Sequence, residues 1–275
     1  MKNIIVTIGP SSDREDILEK LKLAGANRFR INLSHANFDS IKSYFNLFKS
    51  VDIVPSIDTQ GAQLRITDIS SKEVFQEGEK INLIFGNSLI APLNKKFIRI
   101  NHFEAFEQIE VGDIVKLDIE GLAVQCKKQI SPFNFESEVI ASGKALVNRA
   151  VDVLSKKLEL SVLTDFDKKA IEYSLSNGCK EVYASFISNK KQVEEVRKLL
   201  SNEIRLISKI ETSEGVENAR EISNLSNEIL IDRGDLSRET TIPMVPIATS
   251  KTIKVANQSN TPVNVATNVL DSMMN

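Results

Sequence analysis

Hydrophobic positions along the chain follow two periods, and these divide it into three blocks. In the first, short runs with apolar residues at alternate positions are separated by stretches where they recur every third or fourth residue. "NIIVTI" predicts a strand, and residues 12–25 predict a helix, with Ser12 and Glu15 at capping-box spacing and Gly25 as its stop. "RFRINL" predicts a second strand in which Phe29, Ile31 and Leu33 form one apolar face. Phe38, Ile41, Tyr44, Phe45 and Phe48 then repeat at helical spacing, and "DIVPSID" predicts a third strand.

From Ala62 to Val151 the texture changes to short β-type runs with turn residues between them, among them "EKINLIF", "KFIRI", "DIVKLDI" and "LAVQCKKQI". "FEAFEQI" is the one candidate helix, so this block predicts a small all-β insert. Alternation resumes near Leu160. Thr164 can cap a helix through Asn177 that stops at Gly178, "EVYASFI" is a strand, and the next helix carries Val193, Val196, Leu199 and Leu200. Then come strand "IRLISKI", a helix bearing Val216, Ala219, Ile222 and Leu225, strand "EILI", a helix over residues 247–258 and strand "VNVAT". Strand–helix alternation predicts a parallel sheet with helical crossovers. Three such strands precede the insert and four follow it, whereas eight close a standard barrel. The expected fold is therefore α/β: an incomplete TIM-type (β/α) barrel of about seven βα units. Residues 1–61 and 152–275 would form this discontinuous barrel, and residues 62–151 a small all-β domain inserted after strand 3.

Composition narrows the class. The 275 residues carry a formal net charge of −2, with 41% hydrophobic and 26% charged residues, which suits a soluble globular protein. With no long basic run, a general nucleic-acid binder is not expected. No stretch approaches the roughly 20 apolar residues of a membrane span, and "MKNIIVTIGP" has no signal-peptide pattern. Cys126 and Cys179 lie in no metal-type spacing, which favours a reduced, cytoplasmic setting. Two histidines and two cysteines make zinc a poor prospect and leave a hard cation held by carboxylates.

In α/β barrels and open α/β sheets the chemistry sits at the carboxyl ends of the strands. Those ends carry Arg30, Asn32, Ser34 and His35 on strand 2, Asp58 and Thr59 on strand 3, and Ser185 and Phe186 on strand 4. Strand 5 adds Lys209 and Glu211, strand 6 Asp232, Arg233, Gly234 and Asp235, and strand 7 Thr267 and Asn268. Any one Asp or Lys at such a place is more often a loop cap; the convergence of six ends carries the argument. Glu211 and Asp235 can hold one divalent cation. Lys209 and Arg30 can neutralise a phosphoryl group in transfer. Asn32, Ser34, Asp58 and Thr59 offer one negative charge and several neutral oxygens, which suits a monovalent cation. Backbone N–H groups at Gly234 and Asp235 can receive a carboxylate if a helix starts there.

The segments "VTIGPSS", "RINLSH", "IDTQGAQLRI", "ASFI", "ISKIETSEGVEN", "DRGDLS" and "VATNVLDSMM", in this order, resemble the pyruvate kinase family. The resemblance covers nearly the whole chain, and the β-rich insert resembles the family's small B domain, which closes over the barrel mouth. It implies phosphoryl transfer from phosphoenolpyruvate to ADP, followed by protonation of enolpyruvate. Arg30 would contact the transferring phosphoryl group, and Lys209 would stabilise its transition state. Glu211 and Asp235 would hold Mg2+ or Mn2+, and Asn32, Ser34, Asp58 and Thr59 would hold K+. Gly234, Asp235 and Thr267 would bind phosphoenolpyruvate or pyruvate, with Thr267 among the catalytic groups. Arg65 and Lys156 would meet the nucleotide phosphates of ADP or ATP, with His35 nearby.

Several positions depart from the family pattern. Gln60 stands where Lys is usual, Gln63 where Glu is frequent, Asp232 where a small residue is, Ser237 where Gly is and Asn268 where Gln is. The chain ends at Asn275, just after the strand-7 motif, so an eighth strand, a C-terminal domain and its sugar-phosphate control are not expected. A homodimer covering the open barrel edge is. Three readings stay open: the family's phosphotransfer; the same metal site acting on a different phosphorylated or enolpyruvyl substrate, such as one of sugar or polysaccharide metabolism, with Asp232 accepting a hydroxyl; and a non-catalytic binding protein.

Overall fold

The computed structural model describes residues 3–70, 74–86, 96–117 and 121–267. They form two compact units, one of residues 1–62 and 162–275 and the other of residues 63–161. The smaller unit thus runs past residue 151, where the change of texture places its end. Ala150–Val153 still pairs antiparallel with Leu64–Ile69 and Ile114–Lys116, and Leu158 and Leu160 pack on the smaller core.

The larger unit is built on one parallel sheet whose order follows the chain: Ile5–Thr7, Arg28–Asn32, Ser56–Asp58, Glu181–Ala184, Arg205–Ile210, Glu228–Asp232 and Val263–Ala266. Alternation sorts each strand's side chains onto two faces. Phe29, Ile31, Val182, Leu206, Ile229 and Ile231 join Leu18, Ile41, Phe48, Ile171, Val196, Ile222 and Ala256 of the helices in a single core. The opposite face carries a small cluster of Tyr183, Ile207 and Leu230, with Ile5 and Ala266 against it and no helical residue. Helices on one face alone are the mark of barrel winding rather than of a doubly wound sheet.

That inner face is layered. At the amino ends of the strands, Arg28 Nη1 and Arg205 Nη2 lie 2.6 and 3.1 Å from Glu228 Oε2. The Nε atoms of the same arginines lie 3.4 and 3.3 Å from Glu181 Oε1, and Asn264 Nδ2 donates to Glu228 Oε1 at 2.6 Å. The apolar layer follows, and above it lie Arg30, Asp58, Lys209 and Asp232.

Several local features differ from the sequence pattern. The first helix is Glu15–Leu23, and Ser12 does not cap it; its Oγ accepts the Gly9 N–H instead. The expected helix bearing Val216, Ala219, Ile222 and Leu225 is two, Ser213–Glu217 and Ala219–Leu225, divided at Asn218. "FEAFEQI" forms a 3-10 helix, Phe103–Gln108, and the last helix begins at Val245. Thr164 does cap Asp165–Ser176, in a capping box with Asp167.

In the smaller unit seven strands close into a barrel, in the order Asn134–Ala141, Lys80–Phe85, Phe97–Ile100, Leu64–Ile69, Ala150–Val153, Ile114–Lys116 and Ala123–Ser131. Closure leaves these strands no free edge. Phe85, Phe106, Phe133 and Phe135 pack together there, Phe85 edge to face on Phe135 and the other pairs tilted.

The ion network at the amino ends, centred on the buried Glu228, predicts a stability effect. Glu228→Gln leaves Arg28 and Arg205 short of a carboxylate and is expected to cost about 3 kcal/mol, read as a lower urea midpoint at unchanged slope.

Candidate functional site

Lys209 is the centre of the carboxyl-end layer. It lies near the end of Arg205–Ile210, one residue out of phase with the helix-facing Ile210, so its side chain enters the interior and is 5% exposed. Its Nζ lies 2.9 Å from Glu211 Oε1, 3.2 Å from Asp58 Oδ1 and 3.8 Å from Asp232 Oδ2, and it donates to Ser185 Oγ at 3.2 Å. Burial alone would depress the ammonium, but Asp58, Glu211 and Asp232 outweigh it and hold Lys209 above its ordinary value.

Asp58 is shared between two cations: Arg30 Nη1 lies 2.9 Å from its Oδ2, on the side away from Lys209. Arg30 also donates to Thr7 Oγ1 at 2.9 Å and lies over the Tyr183 ring. Ser185 links the next strand end, donating to Asp58 Oδ1 and to the Thr59 carbonyl, while its N–H is held by Thr59 Oγ1. Register sets Asn32 opposite Asp58, and Asn32 Oδ1 accepts the Ser34 N–H at 2.9 Å. His35 follows, exposed, at the end of the 3-10 turn Leu33–His35.

Glu211 is buried, and Phe186 N–H donates to its Oε2 at 2.6 Å. To give that N–H, Phe186 takes a left-handed backbone at φ 57°, an outlier for a bulky residue. Burial, followed by the charges of Asp235, Asp232 and Asp58, pushes the Glu211 carboxyl up to about 7 against the pull of Lys209. Glu211, Asp232 and Asp235 each offer a carboxylate oxygen, and these atoms lie within 4.8 Å of one another. Such a set of hard oxygen donors fits Mg2+ or Mn2+. Asp235 also lies 3.8 Å from Arg238 Nη1.

Gly234 and Thr267 meet at the last strand end. A helix does start here, Arg233–Glu239. A Cβ on Gly234 would stand 2.8 Å from Thr267 Cγ2, so only glycine fits. Thr267 is held in a left-handed backbone, φ 68°, rare for a β-branched residue. Arg233 secures it by donating to its carbonyl from Nε and Nη2, at 3.1 and 2.6 Å. Asn268 lies outside the described residues.

The structure brings Arg30, Asp58, Thr59, Lys209, Glu211, Gly234, Asp235 and Thr267 to one end of the larger unit, and adds residues whose parts were not foreseen. Asp167 is fully buried; it accepts the N–H groups of Gln60, Gly61 and Thr164 at 2.7, 3.2 and 3.0 Å and so fixes the loop after Asp58. Burial raises its carboxyl, and these hydrogen bonds oppose the rise. Its only sequence signal was its place in the Thr164 capping box. Gln60 joins the same clamp, donating to the Leu33 carbonyl and accepting from Thr164 Oγ1. Arg65 and Lys156 belong to the smaller unit. Arg65 Nη1 donates to the Asn148 carbonyl at 2.9 Å, and Lys156 Nζ lies 3.0 Å from Asp113 and 3.2 Å from Glu110.

Comparison with known proteins gives a consistent family. A model described as the pyruvate kinase barrel domain matches residues 1–275. That domain is a TIM-type β/α barrel, in keeping with helices on a single face of the sheet. The chain is 30% identical over 282 residues to plastidial pyruvate kinase 3, chloroplastic, of Arabidopsis thaliana, covering 99% of this chain and 49% of that protein. It is 31% identical over 282 residues to a pyruvate kinase of Clostridium perfringens, covering 98% of this chain and 59% of that protein. The chain spans about half the length of the curated relatives it matches.

The raised Glu211 carboxyl sets a pH effect. Its folded value, about 7, lies above the ordinary 4.5, so between these the folded state binds the proton more tightly than the unfolded one. Without a divalent cation, stability relative to Glu211→Gln is expected to fall as pH rises through this window, measured by urea unfolding in chelator. A rise would refute the assignment.

Proposed function

Because this chain belongs to the pyruvate kinase family, we propose that it catalyses magnesium-dependent phosphoryl transfer between phosphoenolpyruvate or pyruvate and ADP or ATP. The observation that carries this reading is the buried Lys209 ammonium beside Glu211 and Asp58, with the carboxylates of Asp232 and Asp235 at the same strand ends. Lys209 and Arg30 place positive charge where a transferring phosphoryl group gathers negative charge. Glu211 and Asp235 would hold Mg2+ or Mn2+. When bound, that cation supplies charge neutralisation at the phosphoryl and enolate oxygens.

Gly234, Asp235 and Thr267 would orient the three-carbon substrate, and Asn32, Ser34, Asp58 and Thr59 would hold K+. His35, Arg65 and Lys156 would serve the nucleotide, Lys156 by exchanging the carboxylates of Glu110 and Asp113 for phosphates. We read the seven-stranded sheet as the family barrel short of one strand and the smaller unit as its lid domain. A cytoplasmic setting is part of the reading, supported by Cys126 and Cys179, which are buried and unpaired. Among the described residues, no helix is long and apolar enough to cross a membrane.

Asp232 favours a second reading, in which the same metal site serves a different phosphorylated substrate. A coupled assay of pyruvate formation from phosphoenolpyruvate and ADP, with Mg2+ and K+, separates the two. Turnover is expected, and Lys209→Ala is expected to lower kcat by about a thousandfold or more. No turnover, with Mg2+ binding intact, would overturn the first reading in favour of the second.

Homo-oligomerisation belongs to the same proposal. Ile5–Thr7 and Val263–Ala266 are the outer strands of the sheet in the described residues, and a second copy covering them would satisfy their free backbone groups. Light scattering is expected to give a dimer mass; a monodisperse monomer would count against it.

A further inference from the structure

Two donors at the Lys209 end of the sheet converge on one point, and an oxygen of the chain itself stands there. Asp232 Oδ1 accepts the Gly234 N–H at 3.2 Å and also the Thr267 hydroxyl. The backbone that carries each donor is held in place. The Gly234 N–H lies at the start of its helix, and the Thr267 carbonyl is held by Arg233. The other Asp232 oxygen lies 3.8 Å from Lys209 Nζ. Lys209 is already matched at shorter range by Glu211 and Asp58, so it cannot neutralise Asp232 and an added anion together.

A ligand carboxylate that needs these donors must therefore displace Asp232 or lie against it, and like charges in contact repel. A ligand hydroxyl meets no such opposition, because it has a proton to give to the Asp232 carboxylate. We infer that Asp232 determines specificity in this pocket: it is a resident carboxylate that competes with a ligand's carboxylate for the Gly234 N–H and the Thr267 hydroxyl, and it favours a ligand presenting a hydroxyl there. The inference rests on the reading of this end of the sheet as the ligand pocket, and it deepens the reading in which the substrate differs.

The test uses oxalate, a dicarboxylate, and glycolate, in which a hydroxyl replaces one carboxylate. Each is titrated calorimetrically into the wild type, Asp232→Ala and Asp232→Asn, with saturating Mn2+ and without it, and Mn2+ binding is followed separately by paramagnetic resonance. Asp232→Ala is expected to bind oxalate at least about tenfold more tightly than the wild type and glycolate no more tightly than the wild type does. Asp232→Asn, which keeps a good helix cap and the side chain's size but loses its charge, is expected to fall between. A fold change below ten for oxalate, an equal change for glycolate, or no oxalate binding to either variant overturns the inference. Loss of Mn2+ binding in the wild type would instead overturn the metal site, and the cation-free titrations then decide the role of Asp232.

Discussion

A buried ammonium must be surrounded by negative charge, and the carboxyl end of this sheet is arranged around that requirement. Lys209 sits in the interior with Glu211, Asp58 and Asp232 about it. The desolvation cost of such an ion is several kcal/mol, so its neighbours cannot be chosen freely. Asp58 has to be held between Lys209 and Arg30; Ser185 has to fix Asp58 and the Thr59 carbonyl; Phe186 has to turn into the left-handed region to reach Glu211. The result carries more carboxylate than one lysine needs. Burial first, and then this excess, raises Glu211.

The two ends of the sheet use charge for opposite purposes. At the amino ends, Arg28 and Arg205 are each matched to both Glu181 and Glu228, and Asn264 satisfies the remaining Glu228 oxygen. Charges there balance without a ligand, and the network closes one end of the interior. At the carboxyl ends, Asp232 and Asp235 instead gather their carboxylate oxygens beside that of Glu211, within 4.8 Å of one another. The apolar layer of Tyr183, Ile207 and Leu230 separates the two.

Much of this was readable in the chain because period-two alternation keeps the faces apart. In "RFRINL" the apolar residues mark the helix side and the polar ones the interior; in "IRLISKI" the rule fails in the middle, where apolar Ile207 faces the interior and polar Ser208 the helix side. Strand ends then name Lys209, Glu211 and Asp235 by position. Other features are set by contacts that no pattern carries. Ser12 has the right spacing for a cap yet turns back to Gly9, because the helix starts from Arg14. Asp167 looks like a capping residue and also fixes a loop on another strand. Asp232 could be read as an extra charge, but its grip on Gly234 and Thr267 depends on where two distant segments meet. The smaller unit extends past the change of texture at residue 151 because Leu158 and Leu160 pack on a core whose strands lie far away in sequence.

The Asp167 clamp bears on what the loop beside Asp58 depends on. The chain leaves the larger unit just after Gln60 and Gly61 and returns just before Thr164, and all three N–H groups end on one buried carboxylate. Departure and return are thus tied to a single anchor inside the sheet's own unit. The clamp itself makes no use of the smaller unit, so the tie between departure and return does not depend on what that unit contains. The loop beside Asp58 thus keeps its shape by contacts made wholly inside the larger unit, and changes in the smaller unit act on it only through the chain itself.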